Sequence, residues 1–200
     1  MTQVLITTSR RNSPADSPSG ELIVYEVETQ QVIRRCEIIE PPHKELDPNP
    51  RGGFRGLKGI NISTGMIALA NASPIFLYDA NWTPIRYFYH PGCAGIHDIV
   101  LHDDSVWVTS TRNDLVFRFS LEGIVQEVID VRTFIPALGF AKWKVKPLLT
   151  QQQLLEGIID FRNPLSHKEA TWDSAHVNSI TFTHGGEMLF SLGLMKSNQH

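Results

Sequence analysis

Short segments of strand-forming residues, repeated at regular intervals, constrain the fold of this 200-residue chain more than any other feature. The segments are rich in Val, Ile, Phe, Tyr and Thr, and many alternate apolar with polar residues between turns, as β-strands do. Helical periodicity is nearly absent. The predicted strands run from Val4 to Thr8, Glu21 to Glu28, Gln31 to Ile39, Gly59 to Ser63, Met66 to Asn71, Pro74 to Asp79, Pro84 to Tyr89, Asp98 to His102, Ser105 to Ser110, Asp114 to Leu121, Ile124 to Val131, Ser179 to Thr183 and Glu187 to Leu192.

The strands fall into groups that share one register. Leu57-Lys58-Gly59-Ile60 aligns with Ile96-His97-Asp98-Ile99 and with Val177-Asn178-Ser179-Ile180, and Ile60 and Ile99 are 39 residues apart. Four antiparallel strands recurring at about forty residues are typical of a β-propeller, whose blades bury their faces only by stacking on their neighbours. An immunoglobulin-type sandwich would contain strands without this register. The sequence therefore predicts an all-β chain made of propeller blades.

The blades are too few for a closed ring. The repeats span residues 1–41, 54–92, 93–131 and 174–200; the first supplies only the second to fourth strands of a blade, and the last only the first two. We predict a single partial β-propeller domain of about three and a half four-stranded blades, whereas propellers typically close with about 4 to 8. The chain is then a fragment of a longer propeller, which we favour, a half that closes as a homodimer, or a small ring whose end the pattern hides.

Residues 132–173 interrupt the repeat. Ile99 and Ile180 are 81 residues apart, close to two periods, so a divergent blade could lie between them. Thr150 followed by Gln153, however, is a capping-box pattern ahead of an apolar pair and a stop at Gly157. We therefore predict an insertion that contains one short helix.

Composition excludes several classes of function. The 18 Lys and Arg against 21 Asp and Glu include no basic run longer than two residues, which argues against a nucleic-acid partner. No apolar stretch approaches the ~20 residues that span a bilayer, and the polar start does not resemble a signal peptide. We expect a cytoplasmic protein without a membrane partner. The two cysteines lack metal-site spacing, and the glycine pairs lack the spacing of a phosphate loop, so we predict no metal and no cofactor.

The two ends of the blades carry different connections. One end has tight turns such as Asp103-Asp104 and Glu122-Gly123. The other end gathers Ser9 to Gly20, the Pro-rich segment from Glu40 to Gly53 and the insertion. Long loops on a rigid scaffold are where binding and catalysis concentrate. The functional site is therefore expected on the loop-rich face.

The innermost strand of each blade lines the axis, so residues just before it should surround the mouth of the channel. Histidine titrates near neutral pH and can bind anions or transfer protons, so we predict catalytic roles for His97 and His176. The predicted ligand-binding residues are Lys58, Asp98, Arg112, Asn113 and Asn178. Asp, His or Asn at the start of an inner strand also serve to hydrogen-bond the local turn, and that structural role remains an alternative for Asp98 and Asn178.

His176-Val177-Asn178-Ser179-Ile180 resembles the His-x-Asn-Ser-Ile start of a blade in arylsulfotransferase-like β-propeller proteins, and Gly95-Ile96-His97-Asp98-Ile99 resembles their His-Asp-Ile start. The resemblance implies that histidines around the funnel handle an aryl sulfate, with His97 and His176 as binding or stabilising groups. In that family a Trp usually stands two residues before the motif histidine, whereas Trp172 is four before His176. NHL-type and lactonase-type propellers share the same coarse pattern.

Three functions are compatible with these observations. The first is a transferase-like or hydrolase-like enzyme, or an enzyme remnant, with a small anionic or aromatic ligand at the axial mouth. The second is a non-catalytic platform that binds a protein or peptide across the loop-rich face. The third is a truncated product without independent activity.

Overall fold

The computed structural model describes residues 1–9, 20–37, 57–63, 65–134, 150–157 and 175–193. Within these ranges the chain forms thirteen strands and one α-helix. Every predicted strand is present, with ends that differ by a few residues. The elements are β1 Gln3–Thr7, β2 Glu21–Glu26, β3 Gln31–Glu37, β4 Gly59–Ser63, β5 Met66–Ala70, β6 Ile75–Asp79, β7 Pro84–Phe88, β8 Ile96–His102, β9 Ser105–Ser110, β10 Leu115–Ser120, β11 Val125–Asp130, α1 Gln151–Glu156, β12 Val177–Phe182 and β13 Met188–Leu192.

The strands form four antiparallel sheets in chain order, which we call blades 1 to 4. Blade 1 is β1-β2-β3, blade 2 is β4-β5-β6-β7, blade 3 is β8-β9-β10-β11 and blade 4 is β12-β13. The arrangement is a partial β-propeller, as predicted. The segment Glu40 to Gly53 and most of the insertion lie outside the described residues.

Blades 1 to 4 stack face to face and bury three apolar layers. Leu22 of blade 1 packs with Leu69 and Phe76 of blade 2. The opposite face of blade 2, which includes Leu77, packs on blade 3 around Phe117. The other face of blade 3 packs on blade 4. Because both faces of blade 2 are covered, its central strands β5 and β6 are almost continuously apolar and buried, which explains why they lack the usual alternation.

The inner strands of successive blades lie side by side. The Asn61 Oδ1 of β4 accepts the Leu101 N–H of β8 at 3.1 Å, and the Asp98 Oδ2 of β8 accepts the Ile180 N–H of β12 at 3.0 Å. In the aligned register each acceptor stands one position before its donor. A repeated side-chain bond to the next inner strand therefore links blades 2, 3 and 4 near the axis.

Gly59→Ala is expected to destabilise the junction of blades 2 and 3. A Cβ at Gly59 would lie 2.9 Å from the Ile99 Cγ2 and 3.0 Å from the Ile99 backbone nitrogen, and a backbone atom cannot rotate away. Overpacking of this kind costs about 1–3 kcal/mol. We expect that loss in the free energy of unfolding from urea denaturation. Gly185→Ala is the matched control, because its nearest neighbour would be the Thr183 Oγ1 at 3.6 Å, and an equal loss in both variants would contradict the packing argument.

Helix α1 confirms the predicted capping box. The Thr150 Oγ1 accepts the Gln153 N–H, and the Gln153 Oε1 accepts the Thr150 N–H at 2.9 Å. The helix ends at Gly157, whose φ of 62° favours glycine. Leu154 is buried in the layer between blades 2 and 3, and the Gln151 side chain donates to the Val128 carbonyl. In the described ranges no helix is long and apolar enough to cross a membrane.

Candidate functional site

His97 and His176 meet at the junction of blades 3 and 4. His97 lies at the start of β8, and His176 comes directly before β12. The two half-buried imidazoles are 5.3 Å apart between ring centroids, with an angle of 80° between their planes. The structure therefore brings together the two residues predicted to be catalytic, although they are far apart in the sequence.

Asn178 orients the ring of His97. The His97 Nδ1 and the Asn178 Oδ1 are 2.9 Å apart. An amide oxygen only accepts hydrogen bonds, so with this amide orientation the neutral imidazole carries its proton on Nδ1. The lone pair of neutral His97 then resides on Nε2. Asn178 acts on the site as a positioning residue for His97.

Two β-bulges place these side chains at the start of their strands. Ile96 pairs with Ser110 and Ile99 with Val108, so the two residues between them, His97 and Asp98, face a single residue of β9. β12 has a second bulge at Asn178. A regular strand sends consecutive side chains to opposite faces, whereas a bulge can re-aim one of them. Consequently His97 and Asp98 both contact blade 4, although they are consecutive.

Asp114 holds the backbone that carries His176. Its carboxylate oxygens accept the N–H groups of Ala175 and His176, each at 2.8 Å. His176 has a φ of 50°, a left-handed conformation that is uncommon for a residue other than glycine. Asp114 itself is fully buried. Sequence reasoning assigned Asp114 to the start of a strand and missed this role, because its contacts are 61 and 62 residues away.

Gly193 gives the site its close packing. Its N–H donates to the His176 carbonyl at 3.0 Å. A Cβ at this position would lie 2.8 Å from the Asn178 Nδ2 and 3.2 Å from the His176 Cδ2. Gly193 therefore permits the approach of β13 to both side chains. Nothing in the sequence pattern marked it, since a glycine after a strand reads as a turn residue.

Asp98 bonds the backbone of both blades. Its Oδ1 accepts the Ile99 N–H at 2.9 Å, and its Oδ2 accepts the Ile180 N–H. Burial raises the pKa of the Asp98 carboxyl above its usual value, and the hydrogen bonds from Ile180 and Ile99 oppose that rise. These bonds correspond to the structural role left open by the sequence.

Asp98→Asn is expected to change the acid dependence of stability. Because the pKa of Asp98 is raised in the folded state, its contribution to stability is fully present below the unfolded value, ordinarily 3.8, and is lost as the pH rises through the folded value. Asparagine does not titrate in this range. Urea denaturation from acidic to neutral pH should therefore show the stability of the wild type falling relative to the variant as the pH rises. A wild type whose stability rises relative to that of the variant as the pH rises would contradict the dominance of burial.

The remaining predicted ligand-binding residues have different surroundings. Asn113 is fully buried, and its Nδ2 donates to the Gly92 carbonyl at 2.6 Å, so this amide holds the connection between blades 2 and 3. Arg112 is half-buried, and its backbone N–H donates to the Ala94 carbonyl. Lys58 occupies the equivalent position of blade 2 and is also half-buried. Of the predicted site residues, His97, Asp98, Asn178 and His176 have contacts across the junction of blades 3 and 4.

The described part of the chain contains no group of three or more His, Cys, Asp or Glu residues that could hold a metal ion. At the junction of blades 3 and 4, His97 and His176 supply two imidazoles, Asn178 an amide and Asp98 a carboxylate that accepts backbone N–H groups. Imidazoles bind anions when protonated and accept protons when neutral.

Comparison with known proteins supports the fold. No family model matches the chain, and no curated protein matches it. Among solved structures, the glutaminyl cyclase of Myxococcus xanthus is similar with a TM-score of 0.51 and 10% identity, over 95% of this chain. The chain spans 63% of that protein's length. At this identity the likeness shows a β-propeller fold alone.

Two further structures are similar over a smaller part of the chain. Sqt1 of Saccharomyces cerevisiae has a TM-score of 0.43 and 18% identity, over 62% of this chain and 29% of its own. The WD40 repeats of RRP9 have a TM-score of 0.44 and 12% identity, over 62% of this chain and 34% of theirs.

Proposed function

We propose that this chain binds a small anionic ligand, of the aryl sulfate class, at the axial mouth of the loop-rich face. His97 and His176 contact the ligand, and Asn178 orients His97. The observation that carries the proposal is the pair of half-buried imidazoles, 5.3 Å apart, at the start of two neighbouring inner strands. The resemblance of the His176–Ile180 and Gly95–Ile99 segments to arylsulfotransferase-like propellers supports an aryl sulfate as the ligand.

The charges around this pair favour an anion. Lys58 and Arg112 belong to the same end of blades 2 and 3, and protonated imidazoles add to their charge. The Asp98 carboxylate carries the opposite charge, but it accepts two backbone N–H groups, which reduces its effect on a ligand. Asn113 supports the site by holding the Gly92 carbonyl.

The same groups could perform proton transfer. While its Nδ1–H donates to the Asn178 Oδ1, His97 can accept at Nε2 the proton of an attacking water or acceptor hydroxyl, whose oxygen bonds to the sulfur. It can then return that proton to the phenol oxygen as the bond between this oxygen and the sulfur breaks. His176 would stabilise negative charge on the transferred group. A transferase or hydrolase activity is therefore the catalytic form of the proposal, and ligand binding without turnover is its minimal form.

A protein or peptide platform is the second candidate. It is favoured by the length of the connections on this face, which include the Pro-rich segment from Glu40 to Gly53 and the insertion between blades 3 and 4. Long loops on one face of a rigid scaffold suit a broad partner. In that case small anions would bind weakly or not at all.

Calorimetric titration tests the small-ligand proposal. We expect phenyl sulfate to bind the wild type at slightly acidic pH, and to bind His97→Gln and His176→Gln about ten-fold or more weakly, because a hydrogen bond to a charged group contributes about 1.5–3 kcal/mol. His184→Gln is the matched control, since His184 is an exposed turn residue at the opposite end of blade 4. Inorganic sulfate separates recognition of the anion from recognition of the ring.

Equal affinity in the wild type and both site variants would overturn the proposal. Hydrolysis of 4-nitrophenyl sulfate, measured on the same samples, then separates the two forms of it. Product formation that both site substitutions abolish supports catalysis, whereas binding without product supports the minimal form.

A further inference from the structure

His90 lies in the connection between blades 2 and 3, and both of its ring nitrogens are engaged. Its Nδ1 accepts the Gly92 N–H at 3.0 Å. Its Nε2 is 3.2 Å from the Leu155 carbonyl oxygen of α1. A carbonyl oxygen only accepts, so Nε2 must donate and the proton resides there. These two contacts define a neutral imidazole with one particular tautomer.

The imidazole of His90 also forms part of the surface on which α1 rests. The ring is 8% exposed and lies 5.1 Å from the ring of Phe117 and 6.4 Å from that of Phe119, measured between centroids. A Cβ at Gly157 would lie 3.2 Å from the His90 Nε2, so the end of α1 is in close contact with the imidazole. Leu154 inserts into the same apolar layer.

Helix α1 depends on this surface for its stability. It has only six residues, and helices shorter than about 12–15 residues are marginal on their own in water. Its contacts with the blades include the burial of Leu154, the bond from Gln151 to the Val128 carbonyl and the contact with His90. Protection of its amides from solvent exchange therefore reports whether the helix is docked.

We propose that His90 is a proton-sensitive clamp that docks α1 on blades 2 and 3 when neutral and loosens it when protonated. A second proton on Nδ1 points at the Gly92 N–H, which removes that hydrogen bond, and it places a positive charge beside two phenyl rings in a buried layer. Histidine is the side chain that changes charge between about pH 5 and 8. This inference is independent of the ligand site.

The groups around the His90 imidazole determine how protonation affects its contact with α1. On the segments packed against it, the titratable side chains in the described residues are Tyr89, Cys93, Arg118 and Glu156. Arg118 lies between Phe117 and Phe119 on β10, but its guanidinium is over the Trp107 ring at 5.5 Å and its Nε donates to the Ser105 hydroxyl. Cys93 is buried and bonds the His90 carbonyl through its backbone N–H at 2.8 Å, and Glu156 is exposed and pairs with Gln152. The ring contacts include Phe117, Phe119 and the end of α1 at Gly157. Protonation of His90 therefore weakens the clamp.

Hydrogen exchange followed by NMR tests the clamp. We expect the protection of the Leu154 and Gly157 amides in the wild type, corrected for the intrinsic effect of pH, to fall about ten-fold from pH 8 to pH 5, the effect of losing about one hydrogen bond. In His90→Gln, which cannot gain charge, the fall should disappear whatever the starting level of protection. His184→Gln should behave as the wild type does.

The protonation state of His90 in the wild type provides a measurement that requires no variant. Nitrogen chemical shifts should show the proton on Nε2 at pH 8, and the second proton should arrive over the same pH range in which α1 loses protection. Protection of α1 that stays constant while His90 gains its second proton would overturn the proposal. A proton on Nδ1 at pH 8 would do so as well.

Discussion

Arg132→Met is expected to lower the free energy of unfolding by about 3–5 kcal/mol. Arg132 and Asp130 form a bidentate ion pair, with 2.7 Å between Nε and Oδ1 and 2.5 Å between Nη2 and Oδ2. The side chains are 1% and 7% exposed, respectively. Removing one partner leaves the other charge buried without its counter-ion, which is much more costly than losing the attraction alone. Urea denaturation monitored by tryptophan fluorescence would measure the loss.

Two further variants separate this effect from loss of packing. Asp130→Asn combined with Arg132→Met leaves no buried charge. The backbone N–H of residue 132, which donates to the Asp130 Oδ1 at 3.1 Å, can still donate to the asparagine oxygen in this double variant. The double variant should therefore be more stable than Arg132→Met. Arg35→Met, at an ion pair with Glu21 where the Arg35 side chain is 60% exposed, should cost less than about 1 kcal/mol. Similar losses at Arg35 and Arg132 would contradict the argument from burial.

The blades could be predicted from the sequence because their signal is local and repeated. Strand residues alternate at a period of two, tight turns separate them, and the 39-residue spacing from Ile60 to Ile99 gives the same register twice. In β5 and β6 the alternation is absent, yet the run from Met66 to Asp79 still reads as two strands, because a turn divides it into two apolar segments that are each too short for a typical helix. The starts of β8 and β12 at Ile96 and Val177 lie before the predicted ones, because bulges follow there and a bulge depends on pairing with another strand.

The candidate site was only partly predictable from the sequence, because several of its contacts join residues on different strands. Register alone placed His97 and Asn178 at equivalent positions of adjacent blades, and their contact follows from the propeller geometry. The roles of Asp114 and Gly193 depend on contacts with residues that are distant in the sequence or on another strand, and no local pattern encodes them. From the sequence, Arg132 reads as a solvated charge at the start of the insertion. Only the structure shows that it forms a buried ion pair with Asp130.

Asp114→Ala is expected to cost about 3–7 kcal/mol and to displace His176. The substitution leaves the buried N–H of Ala175 and the N–H of His176 without their acceptors, at about 1–3 kcal/mol for each. It also places alanine in the left-handed conformation of Asp114, with φ 57° and ψ 38°, which costs roughly another 1 kcal/mol. The bonds from the Thr111 hydroxyl to the Val177 carbonyl, at 2.6 Å, and between His97 and Asn178 are left in place by the substitution.

Asp114→Asn divides these contributions. Asparagine tolerates the left-handed conformation and keeps one carbonyl oxygen, so one N–H is still satisfied and the loss in stability should be about half of that for alanine. In both variants the NMR contacts between the rings of His97 and His176 should weaken, because the φ of 50° at His176 is held by the carboxylate. If the alanine variant lost stability but kept the ring contacts, Asp114 would join the two blades without positioning His176. If it kept its stability as well, the carboxylate would contribute neither to the junction nor to the site.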